Sequence, residues 1–309
     1  MNPAYSIIFF TTASGAGYGL LAMLSVYALA GDTASNGLRL MALGLAGVLV
    51  TSGLLSSTLH LGHPERAWRA LSQWRSSWLS REGVLAIACY VPALSWAWLL
   101  WRNAGAGATW LPLASGMLAL ATVYATSMIY ASLKTVDAWH RPSVTVNYLL
   151  LALASGALLW LAMRHWHGVA SAGDALLTAL LLAAAAFGKW RYWSAIDSSE
   201  RSVTMEDATG LGQLGTVSSL AWPHTERNYL LKEMGYEVAR RHARRLRRVA
   251  LLAAFIVPAA CALVGSLLPA LAGAVVASLG LPALALGLVV ERWLFFAEAR
   301  HAVSAFYRR

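Results

Sequence analysis

Apolar residues run along this chain in eight long blocks, at about 6–30, 38–60, 83–101, 111–133, 144–163, 174–192, 249–271 and 275–298, with polar residues gathered between them. A helix needs about 20 mostly apolar residues to cross the hydrocarbon of a bilayer. The pattern therefore predicts an all-α polytopic membrane protein, a bundle of eight transmembrane helices with both termini on one side. Aromatic residues mark many block ends, as expected at headgroup depth: Trp74, Trp78, Trp101, Trp110, Trp139, Trp190, Tyr192 and Trp193. The first two blocks are rich in Gly, Ala and Ser, which lets helices approach closely. No Lys or Arg precedes Arg39, so the first block lacks the basic start of a cleaved signal and is expected to remain a span.

Composition agrees with the pattern. Of 309 residues, 58% are hydrophobic and only 12% charged, and the mean hydropathy is +0.56. Those values exclude a cytosolic globule, a disordered chain and a nucleic-acid-binding module. The net charge of +10 reads as topology. Of 24 Lys and Arg, 20 fall in the connectors after blocks two, four and six or in the C-terminal tail, with Lys189 and Arg191 at the end of block six counted with the connector that follows. Only Arg39, Arg102 and Arg164 sit on the other side, and Arg292 lies within the last block. The positive-inside rule then predicts both termini in the cytoplasm and a bacterial inner-membrane location. The chain reads as one integral domain, 1–309. Two cytoplasmic connectors stand out: an amphipathic one at 61–82 and a long basic one at 193–248. The latter contains TGLGQLG at 209–215, which lacks the ending of a phosphate loop. It carries apolar residues without a core of its own, and is expected to dock partner subunits or to fold over the cytoplasmic ends of the bundle. Its arginine run before block seven suits anionic lipid, with no nucleic-acid partner expected.

The stretch 56–83, SSTLHLGHPERAWRALSQWRSSWLSREG, is the most informative. It puts His60 at the end of block two and Glu82 at the start of block three, on the same side of the membrane. Between them Trp68, Leu71, Trp74 and Trp78 fall at helical spacing among arginines, the pattern of a helix lying in the headgroup plane. A histidine and a carboxylate beside apolar space are what a lipid-soluble quinone requires, because its reduction takes up two electrons and two protons. The structural alternative is a cation at one helix C-terminus and an anion at another N-terminus. Glu291 and Arg292 are ionisable groups inside a span. Glu291, Phe295 and Glu298 share a helical face, as a polar path or as part of an intramembrane ion pair. The run Tyr130, Lys134, Asp137, Trp139, His140 either closes the same pocket or forms an interfacial belt, and the belt is the favoured reading. The quinone-binding and proton-transfer candidates are His60, Glu82, Arg66, Trp74, Arg81, Tyr130, Lys134, Glu291 and Arg292. His63, before Pro64, reads as turn chemistry. The only cysteines, Cys89 and Cys261, give no iron–sulfur or zinc spacing; small buried residues are expected, a disulfide being the alternative. All eight histidines lie at block ends or in connectors, so no haem is expected.

The stretch LHLGHPERAWRALSQWRSSWLSRE resembles the membrane-anchor subunit of the dimethyl sulfoxide reductase type of molybdoenzyme complex. The segments YWSAID (192–197), PHTERNYLLKEMGYEVARRHARRLR (223–247) and ERWLFFAEARH (291–301) resemble the branch of that family serving the cytoplasmic sulfite dehydrogenase. The resemblance implies two partners, a molybdopterin catalytic subunit and an iron–sulfur electron-transfer subunit, with quinone as the electron carrier in the membrane. It ties His60 of the LHLG motif and Glu82 of the LS-x-E pattern to quinol binding. Electrons would pass from sulfite through the partners to quinone. A quinol-oxidising anchor of a sulfoxide or oxoanion reductase is the alternative, and a small-molecule or proton transporter is the alternative from a different class. A transporter would carry charges at mid-membrane, whereas the ionisable groups here crowd one face.

Overall fold

The computed structural model describes residues 4–59, 63–103, 109–198, 204–218, 220 and 238–302. Among them eight helices are long and apolar enough to cross a membrane. They are α1 (Tyr5–Leu29), α2 (Asn36–Thr58), α3 (Trp78–Trp101), α4 (Trp110–Ala131), α5 (Pro142–Trp166) and α6 (Ala172–Asp197). A short α7 (Met205–Thr209) follows. The seventh span is built from α8 (Val238–Leu251), a π-helical turn (Leu252–Ile256) and α9 (Val257–Leu267); α10 (Ala270–Ala297) is the eighth. Such segments become helices because hydrocarbon offers backbone N–H and C=O groups no partner outside the helix.

Hydropathy placed the spans, but capping set their ends. The third starts at Trp78, not 83, because the Ser77 side chain accepts a hydrogen bond from the Ser80 N–H. Glu82 thus enters the second turn of the helix. Ser171 and Asp174 form a capping box that starts α6. The seventh helix begins at Val238, well before the expected 249. Its first turns are an arginine-rich amphipathic extension that hydropathy alone does not register. The π turn falls just before Pro258, which has no N–H to give the preceding turn, and the backbone of Ala254 there rests against Gly287 of α10.

Helix α1 is the most buried span, followed by α5. It packs on α2, α4 and α5, while α6, α9 and α10 gather on the far side of α5. Contact between α1 and α5 is backbone to backbone. A Cβ on Gly156 would lie 2.0 Å from the carbonyl carbon of Gly19. Gly156→Val should therefore lower the unfolding free energy in sodium dodecyl sulfate titrations by about 3 kcal/mol. Gly44→Ala, where nothing lies within 4 Å of the new atom, should leave it unchanged.

Three sequence expectations are corrected here. The 61–82 connector holds a 3-10 helix, Pro64–Gln73, and not a continuous α-helix through Trp78. Pro64 starts the turn, and the Ser77 cap assigns Trp78 to α3. Trp139, Tyr192 and Trp193 do not belong to a headgroup belt; all three are buried. Arg164 is not a loop charge but the C-terminal end of α5, buried on the face opposite the termini. There its Nη1 lies 2.6 Å from Asp32 and its Nε 2.9 Å from Asp174. Tyr27 donates to the other oxygen of Asp174 at 2.7 Å, so the loop after α1 and the facing ends of α5 and α6 are clasped together. Both cysteines are free, and the turn reading of His63 holds, since it stands at the residue before the 3-10 helix with its Nδ1 3.0 Å from Glu65.

Candidate functional site

Glu82 is 5% exposed. It faces α4, where the Thr126 hydroxyl donates a short hydrogen bond to its Oε1. The same hydroxyl lies 3.0 Å from the Thr122 carbonyl oxygen, a second acceptor one turn back. Tyr18 of α1, Tyr130 of α4 and Tyr148 of α5 are all within electrostatic reach of the carboxylate.

Beside Tyr130 and Tyr148 lies a second buried group. Glu291 of α10 is fully enclosed and pairs closely with the Lys189 ammonium of α6. The Arg292 Nε is 3.6 Å from its other oxygen. The cations sit on rings: Arg292 lies 3.8 Å over Tyr148, and Lys189 lies 4.2 Å over Tyr192. Tyr130 packs edge-on against Trp139 and Phe295, and Trp139 donates to the Phe295 carbonyl oxygen at 2.9 Å. The favoured belt reading of 130–140 is therefore wrong for Tyr130 and Trp139, which turn inward, while Lys134 and His140 stay exposed.

Nearer the end of the bundle Arg247 of α8 bridges Asp197 at 2.7 Å and Glu298 at 2.9 Å. Burial raises the Glu298 carboxyl above the usual carboxylate range, and the Arg247 guanidinium opposes that rise. Along the face shared by Glu291, Phe295 and Glu298 both carboxylates are therefore engaged in ion pairs, the alternative that the sequence offered to a polar path.

The structure brings together Glu82, Tyr130, Glu291 and Arg292 among the residues singled out in the sequence. It does not bring Arg66, Trp74 or Lys134 to them; all three are exposed. Arg81 binds the connector instead. Its Nε donates to the Trp74 carbonyl oxygen at 3.1 Å and its Nη2 to that of Arg75 at 2.7 Å. His60 lies outside the described residues. Sequence reading missed Lys189, Thr126 and Tyr148. For Lys189 the signal is a lone cation following LLLAAAAFG, which the charge count assigns to the basic connector. For Thr126 it is the four-residue step from Thr122 along an apolar helix.

An apolar groove of about 620 Å³ runs between α1, α2 and α3. Leu43, Val50, Cys89 and Leu94 line it, and Tyr18 closes its inner wall. Tyr18 thereby stands between this groove and the polar groups around Thr126. The Thr51 and Tyr90 hydroxyls join α2 to α3 at 2.6 Å along the groove.

Fold and site together define a multi-pass membrane protein with ionisable groups buried inside one end of its bundle. The chain belongs to the DMSO reductase anchor subunit (DmsC) family, whose model matches residues 1–296. It is 33% identical over 334 aligned residues to a sulfite dehydrogenase subunit of Allochromatium vinosum, covering 100% of this chain and 99% of that one. It is also 32% identical over 117 residues to the anaerobic dimethyl sulfoxide reductase chain YnfH of Escherichia coli, 36% of this chain and 40% of that one. This is a membrane anchor subunit of the dimethyl sulfoxide reductase type.

Proposed function

We propose that the chain is the quinone-binding anchor of a sulfite-oxidising molybdoenzyme in a bacterial inner membrane. A partner iron–sulfur subunit delivers electrons from the molybdopterin subunit, and the anchor passes them to quinone. The observation that carries this reading is the buried Glu82 carboxyl, held by Thr126 near the membrane end of α3. A buried carboxyl near the bilayer surface can hold a proton for transfer to a ring oxygen. The apolar groove ending at Tyr18 suits the body and tail of a lipid-soluble ring. His60, from the LHLG motif, stands as the second proton carrier, and Arg292 lies with Thr126 in the space on the other side of Tyr18. Full-length likeness to a sulfite dehydrogenase subunit supports the substrate. The distribution of Lys and Arg supports a cytoplasmic placement for the termini, for the 61–82 connector and for the long connector at 193–248, where the partners dock.

The test is sulfite-dependent quinone reduction by the assembled three-subunit complex. Glu82→Gln keeps the shape and removes the proton, and turnover should fall about a hundredfold. His60→Ala should fall comparably. Unchanged turnover in an assembled Glu82→Gln complex would remove the quinone role from this residue. The shorter likeness to a dimethyl sulfoxide reductase chain favours a second reading, quinol oxidation. It would show as sulfoxide reduction by the same complex supplied with quinol.

A further inference from the structure

Between α1, α4, α5 and α10 lies a space with about 20 Å³ open to the centres of water molecules. Its walls carry Ser14, Tyr18, Thr126, Tyr148, Ser155 and Arg292. One water needs about 10–15 Å³ of such space and two to four polar partners. These walls supply both. Tyr148 is 3% exposed, and its hydroxyl meets no hydrogen-bond partner among the described residues. Leaving a buried hydroxyl unpaired is costly, and a water in this space removes the cost.

Thr126 connects the space to Glu82. Its single hydroxyl hydrogen has two acceptors in reach, the Glu82 carboxylate and the Thr122 carbonyl oxygen. When Glu82 is ionised, Thr126 donates to it. When Glu82 is protonated, the carboxyl donates to Thr126, whose own hydrogen turns to Thr122 or into the space. A hydroxyl that both donates and accepts in this way passes a proton without moving its heavy atom.

We propose that this space is a water site and that Glu82 loses and regains its proton through it, by way of Thr126. The use of that proton rests on the quinone reading above. Each quinone takes two electrons from the iron–sulfur partner and two protons, and a proton given up by Glu82 is replaced from the internal water, which draws on bulk water. Thr126 is then a relay and positioning residue, and Tyr148 holds the water in place.

The experiment follows the C=O stretch of protonated Glu82 by infrared spectroscopy after transfer into D2O. It uses the full-length chain in lipid nanodiscs without added quinone. The band is assigned by its loss in Glu82→Gln. Thr126→Val should slow hydrogen–deuterium exchange at least tenfold, and Thr126→Ser should restore the native rate. Ser155→Val fills the space without touching Glu82 and should slow exchange to a similar extent, so it decides the matter if Thr126→Val does not fold. Native exchange rates in Ser155→Val and in a folded Thr126→Val would overturn the proposal. So would a Glu82 that stays ionised at every pH at which the protein is folded. Because no quinone is present, such a failure would leave the quinone reading standing, and unchanged Glu82→Gln turnover would sink that reading without affecting the water site.

Discussion

Replacing Lys189 by Met is expected to lower the stability of the bundle by about 3 kcal/mol, measured as the shift in a sodium dodecyl sulfate unfolding titration. Lys189 and Glu291 are buried together, at 2% and 0% side-chain exposure, and their charged groups touch. An ion pair of this kind contributes little net stability over apolar residues of the same size, but removing one partner alone costs about 3–5 kcal/mol. The lower end of that range applies here because Arg292 remains 3.6 Å from the other Glu291 oxygen. The double variant Lys189→Met/Glu291→Leu removes both charges, and most of the loss should return. A cost below about 1 kcal/mol in the single variant would mean that Arg292 alone satisfies Glu291. The same comparison separates structure from function: if the double variant is stable and still supports quinone turnover, the ion pair serves as a core fastening and not as a proton carrier.

Glu291 was visible in the sequence because a carboxylate within an apolar block needs either a functional role or an intramembrane partner. Its partner was not. Lys189 stands near the end of the sixth block, in KWRYW, so its charge was counted with the basic connector that follows. Helix α6 runs on to Asp197, and only the packing of α6 near α10 reveals that Lys189 faces inward. Trp139, Tyr192 and Trp193 misled for a similar reason. An aromatic residue near a span end can face headgroups or neighbouring helices, and hydropathy carries no information about which. The spans themselves were legible because solvation in hydrocarbon depends on length and composition, both of which a sequence states directly. Where polar side chains decide helix ends, as Ser77 does for α3, the hydropathy boundary is several residues late. Glu82 was recognised from its motif, but Thr126, 44 residues away, was not, because a threonine in an apolar helix commonly bonds only its own backbone. That bond to Thr122 exists as well, and it is the second acceptor that makes Thr126 more than a core residue.

At the opposite end of the molecule, Arg164→Met is expected to cost more than the Lys189 substitution, about 4–5 kcal/mol. Arg164 serves two carboxylates: Asp32 at 2.6 Å and Asp174 at 2.9 Å, each less than a tenth exposed. Its third nitrogen donates to the Val169 carbonyl oxygen at 2.8 Å, and its guanidinium lies 5.0 Å over the Tyr27 ring. Among the described residues no second cation pairs with these carboxylates as Arg292 does with Glu291, so the variant leaves two buried anions facing each other. Asp174 keeps partial support from the Tyr27 hydroxyl and the Ser171 N–H, whereas Asp32 depends more heavily on the arginine. Asp32→Asn in the Arg164→Met background should therefore restore more stability than Tyr27→Phe, which removes a donor from Asp174 and should deepen the loss. Arg164→Lys is not a conservative change here, since an ammonium cannot match the two-sided fork of the guanidinium, and it should recover no more than half of the deficit. This clasp lies on the face opposite Glu82. If it is only a fastening, quinone reduction by complexes that survive the Arg164→Lys change should proceed at the native rate. A fall in turnover at native stability would show instead that this end of the bundle is coupled to the site.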